Sequence, residues 1–513
     1  MSYLSKRGYV LKKETLTQEQ LFEIKKELRA KPLVDEKYNK NILDESYPVY
    51  IDTKTKLYIP KMYGIKKFGY PEIELENYIG KDWDHKIDFS GKLYERQEEP
   101  CKALYEACLN DNGGILEAKT GTGKTLMSLY VLSKLKCKTI IVVNKITLLN
   151  QWKEEINKFL PNASVGILQG QKNVDIIDKD ITVAMLKSLS VIDYPDELFK
   201  DFKCVIFDEI HNTSTKSSSK VLSKLCCKYT IGLSATPIRA DGCEYVFKWH
   251  IGEIIYKSTV ERNGKPPIIR CLKITSTDYK EVYSTNKYTG LKTIQFTTML
   301  TELTEMEKRN KLIIEIVKDC IKNKRKILVL SDRRNHLNIL FDILNNDPNV
   351  SFTYGLFLGK MKIEELKKSK ACDVILATVA AFGEGISEKD LDTLILCTPK
   401  KFIGHLKNKP KNENNKIEQI VGRIFRKDHI TLSPLIIDLQ DHFSVYKNQT
   451  SGRNAFYKLH FKNGIFENQS INLDECALKD ISMKCITTKK QKKIDEPEPS
   501  NLITQFCMLD EDE

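Results

Sequence analysis

The sequence predicts an α/β fold in which two parallel-sheet units follow a small α+β domain. Three observations carry that expectation. Short β-branched runs alternate with helical segments from Gly91 onward, the alternation starts again after about residue 310, and the 513-residue length allows roughly three folded units. Alternation of this kind implies parallel strands joined by crossover helices. Apolar residues at 41% and charged residues at 29% describe a chain with enough core to fold. The longest apolar runs, such as Ile140 to Val143, fall far short of the roughly 18 residues a membrane span needs, which excludes insertion.

Taken in order, residues 1–88 mix strand-like runs (Val49 to Ile51, Lys56 to Ile59) with an amphipathic helical stretch from about Thr17 to Lys31, broken by turns such as Tyr70-Pro71. They read as a small α+β domain and a candidate DNA-binding unit. Residues 89–260 form the first α/β unit, with strand-like runs at Ile140 to Val143, Ile181 to Ala184, Cys204 to Phe207 and Tyr229 to Leu233. Residues 261–310 are less regular, and Pro266-Pro267 and the threonines near Thr297 mark a connector. Residues 311–467 repeat the pattern at Lys326 to Leu330, Val374 to Ala377, Thr393 to Leu396 and Leu435 to Asp438. Residues 468–513 end in a lysine run from Lys489 to Lys493 and an acidic Asp510 to Glu513, charge blocks typical of a partly disordered, solvated tail.

The N-terminus lacks the apolar core of a secretory signal, so an intracellular, reducing location is expected. The 14 cysteines show no Cys-x-x-Cys and no zinc spacing, and read as buried thiols. A formal charge of +13, from 82 basic and 69 acidic residues, is compatible with a polyanionic partner without requiring one.

The strongest local signal is Ala118-Lys119-Thr120-Gly121-Thr122-Gly123-Lys124-Thr125, which follows apolar Ile115-Leu116 and precedes a helical pattern from Leu126 to Leu135. A strand, a glycine-bearing loop and a helix in that order surround a triphosphate with backbone N–H groups and the positive end of a helix dipole. Lys124 would reach the β- and γ-phosphates of ATP, and the Thr125 hydroxyl would ligate Mg2+. Ala118 stands where glycine is usual, but Gly121 can make the turn.

A second requirement, a carboxylate on a neighbouring strand, is met by Asp208-Glu209 at the end of the apolar run from Cys204. Asp208 would hold Mg2+, and Glu209 would polarise the attacking water. Gly232 to Pro237 is another strand end, carrying small hydroxyl side chains. In the second unit, a helical pattern puts Gln419, Arg423 and Arg426 on one face. Arginines on a separate unit can cross a cleft and stabilise a transferring γ-phosphoryl. These groups are read as catalytic, with ATP bound between two lobes.

In this order the segments resemble those of the superfamily 2 helicases and translocases, whose motor is two RecA-like lobes. Gln97 falls where such motors read adenine, Asn144 to Trp152 resembles motif Ia, and Thr182 to Leu189 resembles motif Ib. Ile327 to Arg333 resembles motif IV, and Ala377 through Gly385 resembles motif V, which adds Gly385 to the expected nucleotide contacts. Gly232 to Gly242 looks like the group that includes the promoter-opening and repair helicase, phage recombination helicases and the poxvirus transcript-release helicase. The viral members are the nearest likeness, carried by Leu57 to Pro60, Tyr63 to Ile65, Leu328 to Leu337 and Pro434 to Asp438. The resemblance implies a DNA-dependent ATPase moving 3′ to 5′, acting in transcription or recombination alongside transcription or replication machinery; a monomer without membrane association is expected, and a viral member would work in the host cytoplasm or nucleus, or in the virion.

Two departures bear on the nucleic-acid track. Asn144-Lys145 replaces the usual Pro-Thr of motif Ia, and Ser387 stands where an acidic residue is frequent in motif V. The Lys- and Asn-rich segment 400–416 reads as solvated surface. The competing reading is an RNA helicase, because Asp208-Glu-Ile-His211 also occurs among RNA-directed relatives. A subunit that has lost catalysis is disfavoured by the retained Lys124, Thr125, Asp208, Glu209, Gln419, Arg423 and Arg426.

Overall fold

Strands that are apolar along their whole length, such as Thr139–Val143 and Ile181–Met185, are buried on both faces and pair in parallel at the middle of a sheet. The computed structural model describes residues 2–33, 46–119, 121–239, 241–258, 264–285, 290, 292–383, 390–400, 420–425 and 429–489. Its first lobe is an eight-stranded sheet in the order Asn173–Asp175, Val165–Gln169, Ile181–Met185, Thr139–Val143, Cys204–Asp208, Tyr229–Ser234, Gly113–Glu117, Ile254–Lys257. All neighbours are parallel except the Asn173–Asp175 edge. Two apolar clusters cover the faces: helices Glu95–Asp111, Lys124–Leu135 and Ile146–Phe159 contribute to one, and helix Glu244–Ile251 to the other. Gly113 opens its strand at φ +131°, and a Cβ there would lie 1.9 Å from the Thr230 carbonyl oxygen. Only glycine lets these two strands close.

The second lobe is also an eight-stranded sheet, ordered Tyr354–Phe357, Val374–Thr378, Ile327–Ser331, Thr393–Leu396, Leu435–Asp441, Ile268–Thr275, Ile465–Asn472, Thr487–Lys489. Every pairing is parallel but the last. Ile268–Thr275 comes from the stretch read as a connector, and Thr487–Lys489 from the stretch read as a tail. Ile268–Thr275 is recruited by pairing with two strands far away in sequence, and Thr487–Lys489 by folding back on the nearby Ile465–Asn472. Two ion pairs are sealed inside this lobe. Arg309 grips Asp441 through Nε at 2.8 Å and Nη2 at 2.9 Å, and Arg453 Nε bonds Asp438 at 2.8 Å. Pairs buried this deeply are costly to break one side at a time.

The N-terminal domain is a five-stranded sheet in the order Ile51–Asp52, Lys56–Ile59, Gly8–Lys12, Tyr3–Ser5, Ile73–Glu74. Its helix Gln18–Glu27 is started by a capping box, in which Thr17 Oγ1 accepts from Gln20 N–H at 3.1 Å and Gln20 Oε1 from Thr17 N–H at 2.9 Å. The domain docks where the first lobe's strands begin. Lys61 is 1% exposed, and its ammonium donates to the carbonyls of Cys227 at 2.9 Å and Lys228 at 3.1 Å and to Thr230 Oγ1 at 3.0 Å. Lys6 Nζ reaches the Phe202 carbonyl at 2.5 Å. By Lys81 the chain already runs along the first lobe, with Lys81 N–H on the Asp201 carbonyl and Trp83 N–H on that of Lys136, both at 2.9 Å. The described cysteines are free thiols, buried except for Cys372, Cys476 and Cys485.

Candidate active site

Strand Gly113–Glu117 ends just before Ala118, and helix Lys124–Leu135 begins at Lys124. The loop between them turns on Gly121 and Gly123, at φ +88° and +92°, where side chains are disfavoured. Gly123 is also cramped, since a Cβ would stand 2.3 Å from the Gln97 amide nitrogen. Lys124 Nζ donates to the Ala118 carbonyl at 2.9 Å, which holds the ammonium across the loop where the helix N-terminus favours anions. Lys119 is exposed beside it, and Thr122 Oγ1 donates to the Lys119 carbonyl at 2.8 Å.

Gln97 is buried and braced to this loop. Its amide nitrogen donates to the Thr122 carbonyl at 2.8 Å, and its amide oxygen accepts from Tyr94 N–H at 3.0 Å. The residue expected to read adenine therefore also fixes the phosphate loop.

Parallel register brings the remaining first-lobe groups to the same edge. Strand Tyr229–Ser234 lies between Gly113–Glu117 and Cys204–Asp208, and Ala118 N–H donates to the Ser234 carbonyl at 2.9 Å. Phosphate loop, Asp208 and Ser234 thus share the carboxyl ends of neighbouring strands, where open parallel sheets bind ligands. Burial and the nearby charge of Glu209 push the Asp208 carboxyl up to about 6, against a hydrogen bond from Trp152 and the charge of Lys124. Trp152 Nε1 donates to Asp208 Oδ2 at 2.9 Å, and Glu209 N–H to Oδ1 at 3.0 Å.

Glu209 sits at φ +49°, a left-handed conformation that turns the chain sharply after the strand. Its Oε2 is buried without a hydrogen bond and lies 3.5 Å from His211 Nδ1. His211 Nδ1 also meets Ser234 Oγ at 3.2 Å, and Arg239 donates to the His211 carbonyl. Burial, helped by Arg239, lowers the His211 imidazole to about 4, so it is neutral at pH 7.

From the second lobe, Arg423 lies in the short turn Gly422–Phe425 and is 7% exposed. Burial pushes its guanidinium down to about 10, opposed by the charge of Glu209. The first-lobe carboxylate whose charge Arg423 feels is that of Glu209. Thr120, Gly385, Gln419 and Arg426 lie outside the described residues, as do Ser387 and 401–416.

Mg2+ fits this donor set. The hydroxyl of Thr125, the carboxylate of Asp208 and the unsatisfied Glu209 oxygen are hard oxygen donors of the kind that ion takes. Trp152, His211, Ser234 and Arg239 complete the site, although none was singled out as a site residue from sequence. All four lie within or beside segments read as motifs, but nothing local to Trp152, at the end of the Asn144 to Trp152 segment, signals its bond to Asp208.

Two family descriptions match the chain: type III restriction enzyme, res subunit, over residues 90–239, and helicase conserved C-terminal domain, over residues 307–428. The chain is 30% identical over 465 residues to a protein of Acanthamoeba polyphaga mimivirus named as an ATP-dependent RNA helicase, covering 89% of this chain and 85% of the relative. It is 35% identical over 176 residues to the DNA 3′-5′ translocase XPB2 of Sulfurisphaera tokodaii, covering 33% of this chain and 36% of the relative. Among solved structures, a fragment of an HsdR-type subunit of a type I restriction enzyme from Vibrio vulnificus YJ016 matches with TM-score 0.50 at 16% identity, over 77% of this chain and 72% of that one.

Proposed function

This chain belongs to the superfamily 2 helicases, related to their viral members, and from that premise we propose that it is an ATP-driven DNA helicase or duplex translocase moving 3′ to 5′. Helicase domains make it a nucleic-acid-dependent ATPase. The observation that carries the catalytic reading is the gathering of Lys124, Asp208 and Glu209 at one sheet edge, supported by the buried Arg423 of the other lobe, which feels the charge of Glu209.

Lys124 would leave the Ala118 carbonyl for the β- and γ-phosphates, and Thr125 and Asp208 would hold Mg2+. When bound, the ion neutralises charge on the phosphate oxygens. Glu209 orients the attacking water and accepts its proton, while Arg423 stabilises charge on the transferring phosphoryl. Gln419 and Arg426 are proposed to assist from the same segment, and Gly385 to contact nucleotide. Because the closing groups come from two lobes, turnover is tied to closing and reopening the cleft.

The DNA assignment draws on the Sulfurisphaera tokodaii relative, which is named a DNA 3′-5′ translocase. The mimivirus relative, named as an RNA helicase, favours RNA or RNA:DNA hybrids as the second reading. We place the protein as a monomer in transcript release, recombination or repair; no helix among the described residues is long and apolar enough to cross a membrane. ATP turnover measured with DNA and RNA of matched sequence decides the substrate, and strand displacement on 3′-tailed, 5′-tailed and forked duplexes decides polarity. Stimulation by DNA with opening of 3′-tailed substrates is expected. Stimulation by RNA alone would overturn the DNA reading.

A further inference from the structure

We infer that Trp152 is a positioning residue: its indole N–H fixes the Asp208 carboxylate for Mg2+ and ties that carboxylate to the helix expected to sense nucleic acid. The inference rests on the catalytic reading of Asp208 given above.

The indole is 1% exposed, and its Nε1 donates to Asp208 Oδ2 at 2.9 Å across 56 residues of sequence. A buried indole N–H needs a partner, and a charged acceptor makes the strongest neutral-donor bond. The other Asp208 oxygen accepts the Glu209 N–H at 3.0 Å. With one donor on each oxygen the carboxylate plane cannot rotate, and the lone pairs left over remain available for a cation. Without the indole, Oδ2 would be buried unbonded, and the carboxylate would be free to swing toward the Lys124 charge that already acts on it. Groups that orient a metal ligand in this way typically change metal affinity or activity by about 10- to 100-fold when removed.

The second half of the inference concerns where Trp152 sits. It belongs to helix Ile146–Phe159, which starts directly after Asn144 and Lys145, the segment resembling a strand-contacting motif. Six residues of helix span about 9 Å, so one rigid element has one end at the expected track and its indole on the expected Mg2+ ligand. Movement of that helix when nucleic acid engages is thereby transmitted to the carboxylate as a change in its orientation.

The test compares the full-length protein with Trp152→Phe, which keeps an aromatic ring and removes the donor. A second variant carries 3-benzothienylalanine at this position; it has the indole's shape with sulfur in place of N–H, so it remains informative if phenylalanine loosens the packing. Mg2+ is titrated against a bound fluorescent ATP analogue, and ATP turnover is measured with and without DNA and RNA. Both variants are expected to need about tenfold more Mg2+, to bind the analogue normally in EDTA, and to lose about tenfold in nucleic-acid stimulation at unchanged nucleic-acid affinity. A wild-type Mg2+ midpoint and stimulation ratio in the benzothienyl variant would overturn the inference. Absence of nucleic-acid stimulation in the wild type would instead overturn the functional reading on which it rests.

Discussion

Lys124 rests on the Ala118 carbonyl and, on the reading proposed above, exchanges it for phosphate, so its loss should cost the protein little and the reaction much. In Lys124→Ala, turnover falls about 100- to 1,000-fold, the range for removing one preorganised charge-stabilising donor. Stability falls by only about 1 kcal/mol for the lost hydrogen bond. Parallel ATPase and urea-denaturation measurements check both, and a variant with retained turnover would show that the phosphate site lies elsewhere. At this scale the sequence was most informative where chemistry is local. Ala118 to Thr125 is eight consecutive residues, and Asp208-Glu209 is a strand end, so both stood out unaided. The bond from Trp152 to Asp208 was hidden because it spans 56 residues, and the pinning of Thr122 by Gln97 because it spans 25.

Elements were legible when their burial was uniform. Thr139–Val143 and Cys204–Asp208 declare themselves as inner parallel strands by continuous apolar runs. Ile268–Thr275 did not, because its Arg270 and Lys273 interrupt the run. Arg270 instead pairs with Glu467 on the adjacent strand at 2.7 Å. The N-terminal domain carries a similar surprise, since Lys6 and Lys61, which count toward the +13 charge, are used as buried fasteners. Lys61→Met removes the donor serving the Cys227 and Lys228 carbonyls, and leaving buried acceptors unsatisfied costs about 2 kcal/mol. Hydrogen exchange should then accelerate at Tyr3–Ser5 and Gly8–Lys12 before it does in the first-lobe sheet. Unchanged exchange would mean that apolar contacts alone hold the domain.

For the whole molecule, buried histidines set the response to acid. Burial lowers His250 and His336 to about 3, well under the ordinary value of about 6.5. Below pH 6.5 the unfolded chain binds protons that the folded chain refuses, so stability present at neutral pH is lost as pH falls toward 3. Asp208, raised to about 6, acts oppositely between about pH 4 and 6, so the comparison has to be made between variants. His336→Asn should flatten the dependence of the unfolding free energy between pH 6.5 and 5 by on the order of 1 kcal/mol per pH unit. An unaltered slope would show that His336 titrates normally.

The place of Ile268–Thr275 in the second sheet also bears on the protein's synthesis. Every strand of the first lobe lies between Gly113 and Lys257, so that lobe can close while the rest is still being translated. Arg270 must wait for Glu467, 197 residues later, which at about 5 to 20 residues per second is about 10 to 40 s. Until Leu435–Asp441 has emerged, the apolar Ile269, Leu272 and Ile274 have neither of their partner strands, and the emerging chain is most exposed to misassociation. On the proposed reading of the site, the nascent protein also passes through a stage in which its phosphate loop and carboxylates are complete while Arg423 has yet to be made, so that it would hold nucleotide before it could spend it.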